Sequence, residues 1–295
     1  MKQMAIVGGQ RPSTYSKSPE LWNRWCDLVA FPGRFEAVDI DRPEELPAFL
    51  ERVWKNPDFV DLTVTNPYKQ QAYEWFTAAH AEVIEIAPRA RRLAAMNHLL
   101  RGPVGEAPRA IVENTDGAGL LQELPAEARG SRGALVVGAG GAARSIADAL
   151  LEEGLPVTIA NIEEDDAEGL VQYLQERHPK GRIKTVSYSS LPHPGAQSPL
   201  AAVDLAVLAI TEGNPFPPEI LSNYQGELFL VDARYGKMAE GYRAAREAGL
   251  AAADGRHMLF GQFALAADTL AGLHGVEPEK HRAALVTIRS GFLAG

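Results

Sequence analysis

Short apolar runs alternate along this chain with polar stretches that carry helical spacing. Met4 to Val7 reads as a buried strand, and Ser18 with Pro19 opens a helix, since serine caps and proline suits the first helical turn. Leu21, Trp22, Trp25 and Leu28 give that helix an apolar face. Phe59 to Val64 is a strand closed by Asn66 and Pro67, after which QQAYEWFTAAHAEVIEI carries helical spacing. LAAMNHLLRG predicts a short strand entering a hairpin or loop, and Gly105 to Arg109 is a break between the two halves.

From Ala134 the rhythm changes to a strand, a glycine turn, a helix (Ala142 to Glu153) and a second strand (Pro156 to Asn161), which together make a βαβ unit. Further strands are expected at Asp204 to Ile210 and Leu228 to Asp232, with SSLPHPGAQSP as a surface connector. Strands alternating with helical stretches predict a mostly parallel sheet covered on both faces. At 295 residues, two domains are the natural expectation.

The glycine turn, GAGGAA from Gly138 to Ala143, matches the dinucleotide fingerprint directly after an apolar strand and at the start of a helix. The first glycine permits the tight turn, the second lets backbone approach a pyrophosphate, and the small third residue allows close helix packing. Gly138, Ala139, Gly140, Gly141 and Ala142 are therefore cofactor-binding candidates. At the end of the second strand an acid binds the ribose 2'-hydroxyl of NAD, whereas an arginine accommodates the phosphate of NADP. Here Glu163, Glu164, Asp165 and Asp166 follow Asn161, and no Lys or Arg comes before Arg177. That charge pattern favours NAD, although a helix N-terminus attracts the same acids for its own dipole.

Composition narrows the partners. A net charge of -9 argues against nucleic-acid and anionic-membrane surfaces, and leaves small molecules as the expected ligands. No stretch reaches the length of a membrane helix and the opening residues are too short an apolar run for a signal segment, so a cytoplasmic protein is expected. Cys26 is the only cysteine and reads as a buried, half-apolar side chain. The histidines show no ligand spacing, so no metal site is expected.

Three polar clusters in the first half carry candidate chemistry: STYSKSP with Ser16 and Ser18, TVTNPYK with Lys69, and ENTDG with Asp116. Singly, each also reads as a cap, a solvated lysine or a turn. Their order is more specific. RPSTYSKSP, TVTNPYK, AMNH, the intact NTDG at Asn114 to Gly117, the intact GAGGAAR at Gly138 to Arg144, and DGRHMLFGQFALAADTLAG together resemble the shikimate dehydrogenase family over nearly the whole chain.

The resemblance implies an α/β fold of two domains: an N-terminal α/β substrate domain (1–108 rejoined by 255–295) and a Rossmann-type dinucleotide-binding domain (109–254). It implies reversible hydride transfer between a nicotinamide cofactor and shikimate or 3-dehydroshikimate, in a monomer or homodimer. Lys69 and Asp116 would be the catalytic pair, facing the cofactor crevice. Ser16, Ser18 and Tyr235 would hold the ring carboxylate, Thr65, Asn97 and Gln262 the ring hydroxyls, and Asn161, Glu163 and Gly261 would join the cofactor set.

The departures are informative too. The family's NRT, whose arginine grips the NADP phosphate, is replaced by Asn161, Ile162 and Glu163, and its NATPxG by LAITEG, which places Leu208, Ile210 and Thr211 at the nicotinamide pocket. Tyr15 stands for a histidine, Thr63 for an asparagine and His98 for a threonine. These changes leave open quinate or a related cyclic hydroxy acid as substrate, and a non-catalytic sensor on the same fold.

Overall fold

Each apolar run read above forms a strand, and strand pairing sorts the chain into two sheets. The structure is a computed structural model that describes residues 1–103, 105, 110–125, 128, 132–193, 198–222, 224 and 227–294. Most of the expected break at Gly105 to Arg109, and residues 194–197 of the expected connector, lie outside the described residues. Two compact units result, Met1–Thr115 with Gln262–Gly295, and Asp116–Gly261.

The first unit holds β1 (Lys2–Gly8), β2 (Gly33–Asp39), β3 (Phe59–Val64), β4 (Ile84–Ile86), β5 (His98–Arg101) and β6 (Ala110–Glu113), in the order β2-β1-β3-β5-β6-β4. Strand β1 is parallel to β2 and β3, whereas β5 runs antiparallel to both β3 and β6. This sheet is therefore mixed. Because β6 pairs with β5 and β4, the first unit extends past residue 108 to Thr115. Alternate side chains separate two layers. Ala5, Val7, Leu62, Val64 and Leu99 join one core with Leu50, Trp54 and Phe76. On the other side Trp22 stacks on Phe35 at 5.7 Å and meets Trp25 and Phe263 edge-on. Truncating a side chain as buried as Trp22 to alanine costs about 3–5 kcal/mol.

The second unit holds β7 (Ala134–Val137), β8 (Val157–Ala160), β9 (Ile183–Thr185), β10 (Leu205–Leu208), β11 (Phe229–Asp232) and β12 (Ala251–Ala253). Their order is β12-β11-β10-β7-β8-β9 and every pairing is parallel. Both faces are covered, since Val136, Val157, Ile159 and Val207 face one core while Leu135, Val137, Ala206 and Leu208 face another. Strand order reverses between β7 and β10, and in such sheets ligands sit beyond the carboxyl ends of the strands at that point.

Several local expectations change. Ser18 is the first residue of the helix Ser18–Val29 and does not cap it; the hydroxyl of Ser16 accepts from the Ser18 amide at 3.2 Å instead. Leu28 is exposed, and Cys26 and Val29 complete the apolar face in its place. The helix Lys69–His80 stops before IEI, which becomes β4, because Ile84 and Ile86 find β6 to pair with.

Candidate functional site

Six candidate side chains belong to the first unit. Ser16 and Ser18 lie where the chain enters the helix Ser18–Val29, Ser18 buried and Ser16 half-buried. Thr65 follows β3 and its amide donates to the Val7 carbonyl at 2.9 Å, which pins it beyond the ends of the parallel strands β1 and β3. Tyr15 reaches the same place: burial raises its phenol pKa, against a side-chain hydrogen bond with Thr65. Lys69 opens the helix Lys69–His80, half-buried, and its carbonyl accepts from the Met96 amide at 3.1 Å.

Asn97, Thr115 and Gln262 form one hydrogen-bonded cluster. The Asn97 amide group donates to Thr115 Oγ1 at 2.9 Å and to Gln262 Oε1 at 3.2 Å, while Asn97 Oδ1 accepts from the Thr115 amide at 2.9 Å. Thr115 Oγ1 in turn donates to the Gln262 carbonyl at 3.2 Å. Asn97 is almost wholly buried, so its amide is oriented by the fold before any ligand arrives. Sequence reading passed over Thr115, although it stands inside the intact NTDG motif.

The departures Thr63 and His98 turn out to be joined. They face each other in the β3–β5 register, and Asp61 lies on the same side of β3. His98 Nδ1 lies 2.9 Å from Asp61 Oδ1 and Thr63 Oγ1 donates to Asp61 Oδ2 at 3.2 Å, all three residues being buried. Burial pushes the Asp61 carboxyl pKa up, with His98 and then Thr63 opposing. His98 Nε2 is buried with no partner among the described residues. A hydroxyl and an imidazole thus share the Asp61 carboxyl one residue from Asn97.

In the second unit, Asp116 is buried as the first residue of the helix Asp116–Glu123. The next residue, Gly117, donates its amide to Ser145 Oγ at 2.9 Å, and a Cβ there would meet the Ser145 carbonyl at 2.0 Å. Tyr235 is half-buried just beyond β11, after Arg234, which pairs with buried Asp232 at 2.8 Å and donates to the Gly213 carbonyl at 2.9 Å. Gly261 packs against Gly119, whose carbonyl lies 1.9 Å from where a Cβ would be, so close approach of backbone demands glycine there.

The glycine loop has the geometry of a phosphate cradle. Gly138 has φ of 122°, and a Cβ on it would lie 2.4 Å from the Ala209 carbonyl, so neither torsion nor space admits a side chain. At Gly140 and Gly141 nothing lies within 4 Å of a Cβ, leaving the backbone bare at the start of the helix Gly141–Glu152. Ala143 is fully buried in the core beneath. Asn161 follows β8, its side chain donating to the Glu163 carbonyl at 3.1 Å, and Glu163 precedes the helix Glu164–Arg177.

A parallel sheet in this strand order, with a glycine loop at its reversal point, defines a Rossmann-type α/β protein, here joined to a second α/β unit. The family model for the shikimate dehydrogenase substrate binding domain matches residues 9–99. A shikimate dehydrogenase (NADP(+)) of Alkalilimnicola ehrlichii is 32% identical over 93% of this chain and 94% of its own. The chain belongs to the shikimate dehydrogenase family. Among solved structures, shikimate 5-dehydrogenase from Thermus thermophilus in complex with shikimate is 28% identical, with a TM-score of 0.72, covering 99% of each chain. Quinate dehydrogenase from Corynebacterium glutamicum in complex with NAD shares the fold at 20% identity, with a TM-score of 0.74 over 97% of this chain and 99% of that one. Among the described residues, no helix is long and apolar enough to cross a membrane.

Proposed function

We propose that this protein interconverts shikimate and 3-dehydroshikimate. The observation that carries the proposal is the clustering of Asn97, Thr115 and Gln262, residues from distant parts of the chain whose side chains are fixed by one another before substrate binds. Such preorganised amides and hydroxyls suit the ring hydroxyls of a small polyol acid. Ser16, Ser18 and Tyr235 take the ring carboxylate, and Thr65 joins the hydroxyl ligands.

A nicotinamide dinucleotide supplies the hydride acceptor or donor when bound, and the bare backbone at Gly140 and Gly141 fits its pyrophosphate. In the oxidative direction the reacting hydroxyl must lose its proton as the ring carbon loses hydride. Lys69 takes that proton, with Asp116 as the second member of the catalytic pair. Asn161, Glu163 and Gly261 complete the cofactor set. Four acids after β8 speak for NAD, whereas the curated relatives are named for NADP(+) and lend that preference no support.

A second reading, oxidation of quinate or a related cyclic hydroxy acid, draws on the buried Asp61–His98 hydrogen bond beside Asn97. Steady-state rates on shikimate and on quinate with each dinucleotide separate the two readings. Shikimate turnover at least about tenfold more efficient than quinate turnover is expected, since a site built around given hydroxyls penalises a mismatched one. Binding of shikimate without turnover on either dinucleotide would leave only a ligand sensor.

A further inference from the structure

The second unit contains a cavity of about 420 Å³ at the carboxyl end of β8, and its lining brings together Gly140, Asn161, Asp165, Asp166, Arg144 and Tyr173. This is where the adenosine ribose of a dinucleotide lies when the pyrophosphate sits on the glycine loop. The acids come from the start of the helix Glu164–Arg177, as the sequence shows. The arginine does not follow the second strand at all: it comes from the first turns of the helix Gly141–Glu152, beside the loop itself.

Arg144 is prepared for an acceptor. Its guanidinium carbon lies 4.7 Å from the Tyr173 ring centroid, a cation–π contact that restrains the side chain. Tyr173 is itself packed by Arg177, at 3.6 Å from the same centroid, so a second positive charge stands at the ring. Arg144 Nε is buried and has no hydrogen-bond partner among the described residues. Buried N–H groups without acceptors are few in native proteins, and this one lies on the wall of the cavity, where a ligand oxygen can reach it. A guanidinium fork matches phosphate oxygens two at a time.

We propose that Arg144, held by Tyr173, is the seat of the 2'-phosphate of NADP in this protein, so that the chain takes both NADP and NAD and Arg144 is the residue that favours NADP. The inference rests on the dinucleotide reading above and adds its specificity-determining residue. Asp165 and Asp166 lie in the same cavity and oppose the phosphate, but both residues are exposed, where water and salt screen them, while the Arg144 Nε is shielded from solvent. The acids accept from the ribose hydroxyl of NAD, and the arginine meets the phosphate of NADP.

Equilibrium titration of the full chain with NADP, NAD and the fragment 2',5'-ADP tests this without turnover. Arg144→Gln is expected to weaken NADP and 2',5'-ADP at least about tenfold while NAD changes less than about twofold, as loss of a charge-assisted phosphate contact requires. Arg144→Lys keeps the charge without the fork and should retain an intermediate NADP affinity, while the unchanged NAD affinity of Arg144→Gln shows that this variant is folded. Asp165→Asn with Asp166→Asn should strengthen NADP selectively. Equal weakening of NADP and NAD by Arg144→Gln, or no weakening of either, overturns the assignment. Arg144-dependent binding of 2',5'-ADP with no shikimate turnover on either dinucleotide would keep the phosphate seat and remove the enzyme reading.

Discussion

The two units offer their chemistry in different materials. In the second, the loop Gly138 to Ala142 presents backbone, and its requirements are torsional: a positive φ at Gly138 and bare space at Gly140 and Gly141. In the first, Ser16, Thr65, Lys69, Asn97 and Gln262 present side chains, each needing its own hydrogen-bonded support. A backbone cradle tolerates change around it as long as glycine stays. A side-chain constellation depends on its supports, and the buried hydrogen bonds of Asp61 with Thr63 and His98 are one such support.

The largest expected effect tests the side-chain half. Lys69→Ala should lower turnover about a thousandfold, the scale of a lost proton-transfer group, with the shikimate dissociation constant within about threefold of the parent. An equal loss of affinity and turnover would make Lys69 a binding group and would weaken the contrast between the units.

Removing Asp61 tests whether the first unit depends on buried polar support. Asp61→Ala leaves His98 and Thr63 buried without their acceptor and should destabilise the chain by about 3 kcal/mol in urea unfolding, as breaking a buried pair does. The double change Asp61→Asn with His98→Thr removes the carboxyl along with the imidazole and should recover most of that loss. If the single variant unfolds at the parent urea concentration, the triad is not a coupled support.

Gly138→Ala is the corresponding test of the backbone half. An alanine there meets both the positive φ and the Ala209 carbonyl, so a cost of about 1–3 kcal/mol is expected, together with loss of dinucleotide binding as the loop shifts. Unlike Lys69→Ala, this change should move stability and ligand affinity together. Retained dinucleotide affinity would mean that the loop geometry is not what holds the cofactor.

What could be read from sequence follows the same division. The loop was legible because glycine at fixed offsets after an apolar strand has few other uses, and the parallel sheet followed from the alternation of strands with helices. Strands β9 and β12 escaped because IKT and AAA are three residues long and exist only through pairing with β8 and β11. The IEI of β4 was hidden at the end of a helical pattern. Motif order singles out Asn97 and Gln262, which the structure joins by a hydrogen bond, while nothing in the sequence joins Thr63 and His98 through Asp61. Arg144 was missed for a spatial reason: a cation for the ribose was sought after the second strand, and the fold delivers one from the loop's own helix.

The smallest effect concerns Cys26, which lies in the first unit and is the only cysteine in the sequence. Burial pushes its thiol pKa up to about 12 from 9.0, with Asp27 and Asp61 adding to the rise. The folded thiol holds its proton where the unfolded one has lost it, so stability from this group is full below about pH 9 and falls as pH rises towards 12. At pH 8 a thiol reagent should therefore label the denatured chain rapidly and the native chain only through opening of the first unit. Shikimate at ten times its dissociation constant should slow native labelling about tenfold, because ligand bound to the closed state lowers the open fraction. Labelling that ignores shikimate would move the substrate site out of the unit that buries Cys26.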